Sequence, residues 1–413
     1  MRFRSVLWLL PVLFFAQTLC AGPPDTADWG FFAHRRINRL AVLTLPPEMM
    51  TFYKTHIDWI SDHAVDPDMR RYASPFEGPR HFIDLDMYGA PPFDTLPRER
   101  YLALIKFIKT YGVTAAKDTI CLFGPGGIFE AQTLKDAPLE NAWRSFFVRQ
   151  VMPLIYSGEV ALNRDSLQAF LKNNQLERQG RPLRIETAFF KDDFSTHGIL
   201  PWHLQKMQRD LTEAFRRRDS RRILRLSAEI GHYIGDGHVP LHTTSNYNGQ
   251  QTGQHGIHGF WESRIPELFA DEGYDYFVGK PEYLRNTTEY FWQMTLASHS
   301  MVDSVLTFER ALRLKFPADR QLCPDMRNGI SIIAPCRDYA AAYQEALDGM
   351  IERRMRATIH AVSNSWYTAW VDAGQPNLKN LELPVADAEA QKEEAEMKKS
   401  FEGGKILGRP EEH

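Results

Sequence analysis

The segment Gly231-His232-Tyr233-Ile234-Gly235-Asp236-Gly237-His238-Val239-Pro240-Leu241-His242 concentrates the side chains that bind transition metals. His232 and Asp236 are four apart on a predicted helix, so both emerge on one face. Pro240 ends that helix, which lets His242 turn toward a nearby but separate point. A second pair, His258 and Glu262, repeats the four-residue spacing at the start of another predicted helix, approached through the polar, glycine-rich stretch from Gly249 to Gly256. Imidazole and carboxylate together suit zinc, and the chemistry open to such a set is Lewis-acid hydrolysis.

Further candidates stand upstream. They are Trp29 and His34 in Trp-Gly-Phe-Phe-Ala-His, Asp66 and Asp68 flanking Pro67, and His81 in Arg-His-Phe-Ile-Asp. Taken in order, Trp29, His34, Asp66, His81, His232, Asp236, His242, His258 and Glu262 meet the pattern of a known superfamily. The chain resembles the group that joins zinc-dependent phospholipase C to the single-strand-specific zinc nucleases, and the likeness runs from Trp29 to Phe269. That resemblance implies three zinc ions. Asp66, His81, His232 and Asp236 would hold one. Asp236 would bridge to a second, held also by His34 and the backbone amine and carbonyl of Trp29. His242, His258 and Glu262 would hold the third. Asp68 competes with Asp66, and the distance from Asp66 to His81 fits the nuclease branch better.

By the same resemblance, the chain is expected to be a zinc-dependent phosphoric ester hydrolase that cleaves phosphodiesters with a metal-activated hydroxide. Asp66 would orient the attacking water. Arg70 would reach the phosphate, or else form a solvated basic pair with Arg71. Phe82 and Asp84 resemble the nuclease branch, in which a ring stacks on a base and a carboxylate bonds its edge; core packing and a helix cap or turn are the plain alternatives. Glu262 in place of Asp resembles the phospholipase branch instead. The expected partner is therefore single-stranded nucleic acid, a nucleotide or a phospholipid. A rival of another class is a non-catalytic zinc-binding structural protein. His56, His63, His197, His203, His238, His255, His299 and His360 lie outside the pattern and read as exposed or ordinarily hydrogen-bonded.

The elements that must position these groups are helical. Apolar residues recur at three- and four-residue spacing from Phe32 to Leu43, Pro47 to Ile60, Arg98 to Tyr111, Trp202 to Arg217, Arg221 to His238 and Tyr339 to Trp370. The predicted class is all-α: a multi-helix domain of the phospholipase C/nuclease type over residues 22–384. The pattern loses regularity over about 112–198, which reads as a central insertion. From 385 the chain is rich in Glu, Lys and Ala, a composition that suits either a solvated helix or a disordered tail.

Composition bounds the function. A formal charge of −3 supplies no global positive field for nucleic acid or anionic membrane, although bound cations would bring their own. Arg2 and Arg4, the apolar run from Val6 to Phe15 and the small residues at Cys20 and Ala21 read as a secretory signal over residues 1–21. Cleavage there would remove two arginines, take the charge from −3 to −5, and deliver the protein to the periplasm or the exterior. Seven residues, Gly22 to Asp28, would still precede Trp29, so either further processing removes them or the second zinc lacks its amine ligand. No other stretch is long and apolar enough to span a bilayer. Cys323 and Cys336 enclose a short loop and are candidates for a disulfide in an oxidising compartment.

Overall fold

A computed structural model describes residues 31–124, 137–153, 164–174, 177–178, 181–182, 184–327, 330–379, 381–383, 388–407 and 409. Trp29 and the expected leader over 1–21 lie outside these residues. Helices dominate the described chain, in keeping with the predicted class. Five of them frame the site: α1 (Phe31–Val42), α2 (Leu200–Arg217), α3 (Ser220–His238), α4 (Thr287–His299) and α5 (Met350–Asp372).

The central helix is α3. Asp219 caps its start by accepting from the Arg222 N–H at 3.0 Å. From Leu226 to His238 every residue of α3 is buried. A helix enclosed on all sides in this way must be packed by neighbours, and α1, α2, α4 and α5 all touch it. Its polar groups are met by the surrounding core. Tyr53 and Ser227 share a hydroxyl–hydroxyl hydrogen bond of 2.8 Å, and the Trp366 indole N–H donates to the Ser227 carbonyl at 3.0 Å.

Two glycines set how closely α1 approaches α3. A Cβ at Gly231 would stand 1.9 Å from Asn38 Oδ1, and one at Gly235 would stand 2.8 Å from His34 Nδ1. His34 and Asn38 are four apart on α1, as Gly231 and Gly235 are on α3, so one small-residue groove receives both side chains. Asn38 then donates to the Ala228 carbonyl at 2.9 Å.

A second apolar cluster lies beside the first. It draws on residues from Ile83 to Trp202 together with Trp292, and so reaches back well before position 112. Three antiparallel strands, β1 (Lys109–Val113), β2 (Thr119–Phe123) and β3 (Thr187–Lys191), form a small sheet in the order β2-β1-β3. Within the second cluster Trp202 and Trp292 meet edge to face at 4.9 Å.

Three predicted helices change at their ends or middles. The one expected from Arg98 to Tyr111 is Arg100–Phe107, and the chain then turns into β1, where Thr110 and Gly112 face inward in alternation with outer residues. The Pro47–Ile60 stretch divides at His56 into Pro47–Thr55 and Ile57–Asp62. The Tyr339–Trp370 stretch divides into Arg337–Ala346 and α5, because Asp348 and Gly349 adopt positive φ. The tail forms α6 (Ala388–Glu402), the helical one of its two expected states. Cys323 and Cys336 are disulfide-bonded with their Cα atoms 5.0 Å apart, tying the hairpin of Leu322–Arg327 and Ile330–Pro335 to the helix that follows. Among the described residues no helix is long and apolar enough to cross a membrane.

Candidate metal centre

The last two turns of α3 bring His232 and Asp236 together in the buried interior, and α1 brings His34 to the same place through the Gly235 groove. His34 Nε2 lies 3.4 Å from Asp236 Oδ1, and His232 Nε2 lies 3.4 Å from Asp236 Oδ2. His81 enters from the loop after Gly78–Arg80, with Nδ1 at 3.0 Å from Asp236 Oδ2 and 3.1 Å from His232 Nε2. Both oxygens of Asp236 are therefore engaged, one toward His34 and the other toward His81 and His232.

A neighbouring group comes from Pro240–Thr243 and the helical turn that begins at Ile257. His258 Nε2 stands 2.8 Å and His242 Nε2 3.3 Å from Glu262 Oε2, while the other oxygen of Glu262 is 3.5 Å from His34 Nε2. Three sets of side chains that can hold metal ions result: His34–His232–Asp236, Asp68–His81–His232, and His242–His258–Glu262.

Asp68 belongs to the second set, and the structure places Asp66 elsewhere. Asp68 Oδ1 is 3.5 Å from His232 Nε2 and 3.6 Å from His81 Nδ1. Asp66 instead pairs with His63, Oδ2 to Nδ1 at 2.7 Å. Both acids lie on the one-turn helix Asp66–Arg70, where residues two apart point in divergent directions, so only one can face His81.

Arg70 also departs from expectation. Its guanidinium binds Glu229 at 2.5 Å and approaches Glu77 at 3.5 Å, inside a network in which Tyr233 donates to Glu77 and Arg80 reaches Glu77 at 2.6 Å. The Arg70 charge is thus neutralised by buried carboxylates on the side of α3 that carries Tyr233. These contacts tie Arg70 to α3 through Glu229.

The electrostatics suit cations. Burial and the nearby His232 lower the pKa of His34, which favours its neutral, ligating form. Burial pushes the Glu262 carboxyl up, but His242, His258 and His34 hold it well below the usual carboxylate range. Burial likewise works against ionised Asp68, and His232, His34 and Arg71 outweigh it to leave that carboxyl lowered.

The ring orientations are fixed from outside. His232 Nδ1 lies 2.9 Å from the Ala64 carbonyl, a partner that only an N–H can satisfy, so Nε2 carries the lone pair that faces the cavity. His258 repeats the arrangement, Nδ1 to the Tyr247 carbonyl at 3.3 Å with Nε2 toward Glu262. The donor sets fit zinc by a simple test. Atoms bound to one tetrahedral zinc at ~2.0–2.1 Å stand roughly 3.3 Å apart. The separations of 3.4, 3.4, 3.5 and 3.3 Å for the His34–Asp236, His232–Asp236, His232–Asp68 and His242–Glu262 pairs lie near that spacing, while His81–Asp236 at 3.0 Å and His258–Glu262 at 2.8 Å are closer.

Phe82 and Asp84 flank this centre. The backbone N–H of Ile83 donates to the His242 carbonyl at 2.9 Å, so their loop is fastened to a candidate ligand. Phe82 is almost fully buried. Its ring and that of Tyr247 lie either side of the Arg409 guanidinium and so form the walls of a filled slot. Sequence reasoning passed over Tyr247, and an aromatic side chain in the polar stretch between His242 and His258 was the available signal. Asp84 closes the slot from below, beside His197 at 3.7 Å.

No protein-family model matches the chain, and a search of curated proteins found no match.

Proposed function

We propose that the protein is a zinc-dependent phosphodiester hydrolase of the phospholipase C/nuclease type, acting on single-stranded nucleic acid or nucleotides. The observation that carries this reading is the sharing of Asp236 between His34 on one oxygen and His81 and His232 on the other, with the His242–His258–Glu262 group alongside. A purely structural metal would need one closed set of four ligands, not adjoining sets with a shared carboxylate.

Three zinc ions held by these residues, with the one free lone pair of His232 serving only one of the two sets it enters, would supply Lewis acidity toward the phosphate oxygens and bring the pKa of a water near neutrality, to about 7. The reaction adds the oxygen of water to phosphorus and breaks one P–O ester bond, the departing oxygen taking up a proton. The residues of the chain prepare the place for it. Ala64 and Tyr247 carbonyls keep His232 and His258 in the ligating tautomer. Asp68, with 23% of its side chain exposed, is the carboxylate of the set that an incoming water can reach, and orients it. Phe82, Tyr247 and Asp84 offer two ring faces and an acceptor edge, which suit a nucleobase.

Glu262 supports a second reading within the same chemistry, a phospholipase C, because the resemblance places Glu at that position in the phospholipase branch. The disulfide Cys323–Cys336 fits an exported protein under either reading. Zinc-loaded protein incubated with single-stranded DNA, a 3′-nucleotide and phosphatidylcholine separates the two. Release of nucleotides or phosphate from the first two supports the nuclease, and release of diacylglycerol supports the phospholipase. Inactivity on all three, with a single tightly held zinc, defeats both and favours a structural protein.

A further inference from the structure

The slot beside the candidate metal centre is filled by the side chain of Arg409. After α6, whose Phe401 packs against Tyr72 at 5.0 Å, the Leu407 N–H donates to the Arg71 carbonyl at 3.0 Å. Arg71 in turn donates to the Arg409 carbonyl at 3.0 Å. These bonds deliver the Arg409 side chain between the two rings, its guanidinium carbon 4.0 Å from the centre of Phe82 and 3.5 Å from that of Tyr247. One terminal nitrogen donates to Asp84 Oδ1 at 2.7 Å and the other to the Thr244 carbonyl at 3.1 Å. Every recognition element of the slot is satisfied at once: two π faces, a carboxylate and a carbonyl.

We propose that the C-terminal segment is an intramolecular strap, and that Arg409 occupies the slot in competition with planar ligands that carry hydrogen-bond donors along one edge. A guanidinium and a base such as guanine share that chemistry: both are flat, both stack, and both present adjacent N–H groups to a carboxylate. The walls of the slot belong to the same loops as the candidate ligands, since Ile83 is bonded to His242 and Tyr247 to His258. A docked Arg409 therefore excludes a base from the position next to the metals. The strap rests on the nucleotide-directed reading above for the identity of its competitor, but its occupancy is measurable without turnover.

The test uses the full-length chain and its Arg409→Ala variant, both metal-free. Hydrogen exchange should find the Leu407 amide protected in the parent and exposed in the variant. Calorimetric titration with guanosine 5′-monophosphate should give an affinity about tenfold higher in the variant, the factor expected if the slot is open roughly one-tenth of the time. Ribose 5-phosphate, which lacks the base, should show no such gain. Equal nucleotide affinities, including none for either chain, overturn the strap, and so does free exchange at Leu407 in the parent. If the strap results hold while both chains, reloaded with zinc, hydrolyse no phosphodiester, the hydrolase reading fails and the strap stands.

Discussion

His232 and Ala64 are joined by a 2.9 Å hydrogen bond from an imidazole nitrogen to a backbone carbonyl, although 168 residues separate them. The bond turns the free nitrogen of His232 toward His81 and Asp236. It also makes the residues just before Asp66 part of the candidate metal centre, through a main-chain atom that no substitution at Ala64 would delete.

Asp236 is the side chain whose loss should have the widest effect. Asp236→Asn keeps the volume but removes the charge and one of two acceptor oxygens. One set loses its carboxylate outright, and His81 of the adjoining set loses the charged oxygen that now lies 3.0 Å from it. The variant should retain about one zinc per chain instead of three by mass spectrometry of the metal, and its hydrolysis should fall by more than the ~10–100-fold typical of an outer-shell change. Retention of three zincs would show that Asp236 is not shared.

Arg70 should behave as a structural cation. Arg70→Met strands Glu77 and Glu229 without one of their partners, and breaking a buried pair typically costs about 3 kcal/mol or more. Chemical denaturation should register that loss, while KM and zinc content of the folded fraction stay near the parent values. A selective rise in KM with unchanged stability would instead return Arg70 to the phosphate.

The His232–His242 block and the His258–Glu262 pair were legible in the sequence because helical periodicity fixes what residues four apart can reach. The choice between Asp66 and Asp68 was not, because it depends on how the one-turn helix Asp66–Arg70 is set against His63 and His81. Spacing to His81 favoured Asp66, but the His63–Asp66 pair at 2.7 Å draws that side chain away. Arg409 left no local trace at all: its partner Asp84 is 325 positions away, and a basic residue near a polar terminus looks like any solvated charge. The partners of Arg70 were hidden for the opposite reason. Its neighbourhood to Asp68 in the chain suggested the site, whereas Glu229, from α3, decides where it goes.

The α1–α3 groove predicts different outcomes for two alanines. Gly231→Ala puts a methyl where Asn38 now lies, and Gly235→Ala puts one against the His34 ring. Overpacking of this kind costs typically ~1–3 kcal/mol. Both variants should melt at lower temperature, but only Gly235→Ala displaces a candidate ligand. Zinc affinity measured by competition with a chelator should drop for Gly235→Ala and hold for Gly231→Ala; equal drops would separate His34 from the metal.

His203 predicts an acid-sensitive stability that does not depend on the metals. Burial, with Arg80, Arg100, Lys206 and Arg70 around it, lowers its pKa well below the ordinary value of 6.5. Its Nε2 is buried with no hydrogen-bond partner among the described residues, and its ring meets Tyr233 edge to face at 4.6 Å. The native state therefore keeps His203 neutral while the unfolded chain takes up a proton. With a depressed folded pKa, the contribution is fully present above pH 6.5 and is lost as pH falls from there toward the folded value. The slope approaches one proton, roughly 1.4 kcal/mol per pH unit. His34 and His238 also have lowered pKa values. In urea denaturation of metal-free protein between neutral pH and about one unit below the histidine value, it is therefore the difference between the parent and a His203→Gln variant that should show this slope. His203→Gln, which cannot titrate, should be less stable at neutral pH yet flatter across that interval. An identical slope in parent and variant would place the acid sensitivity in another group.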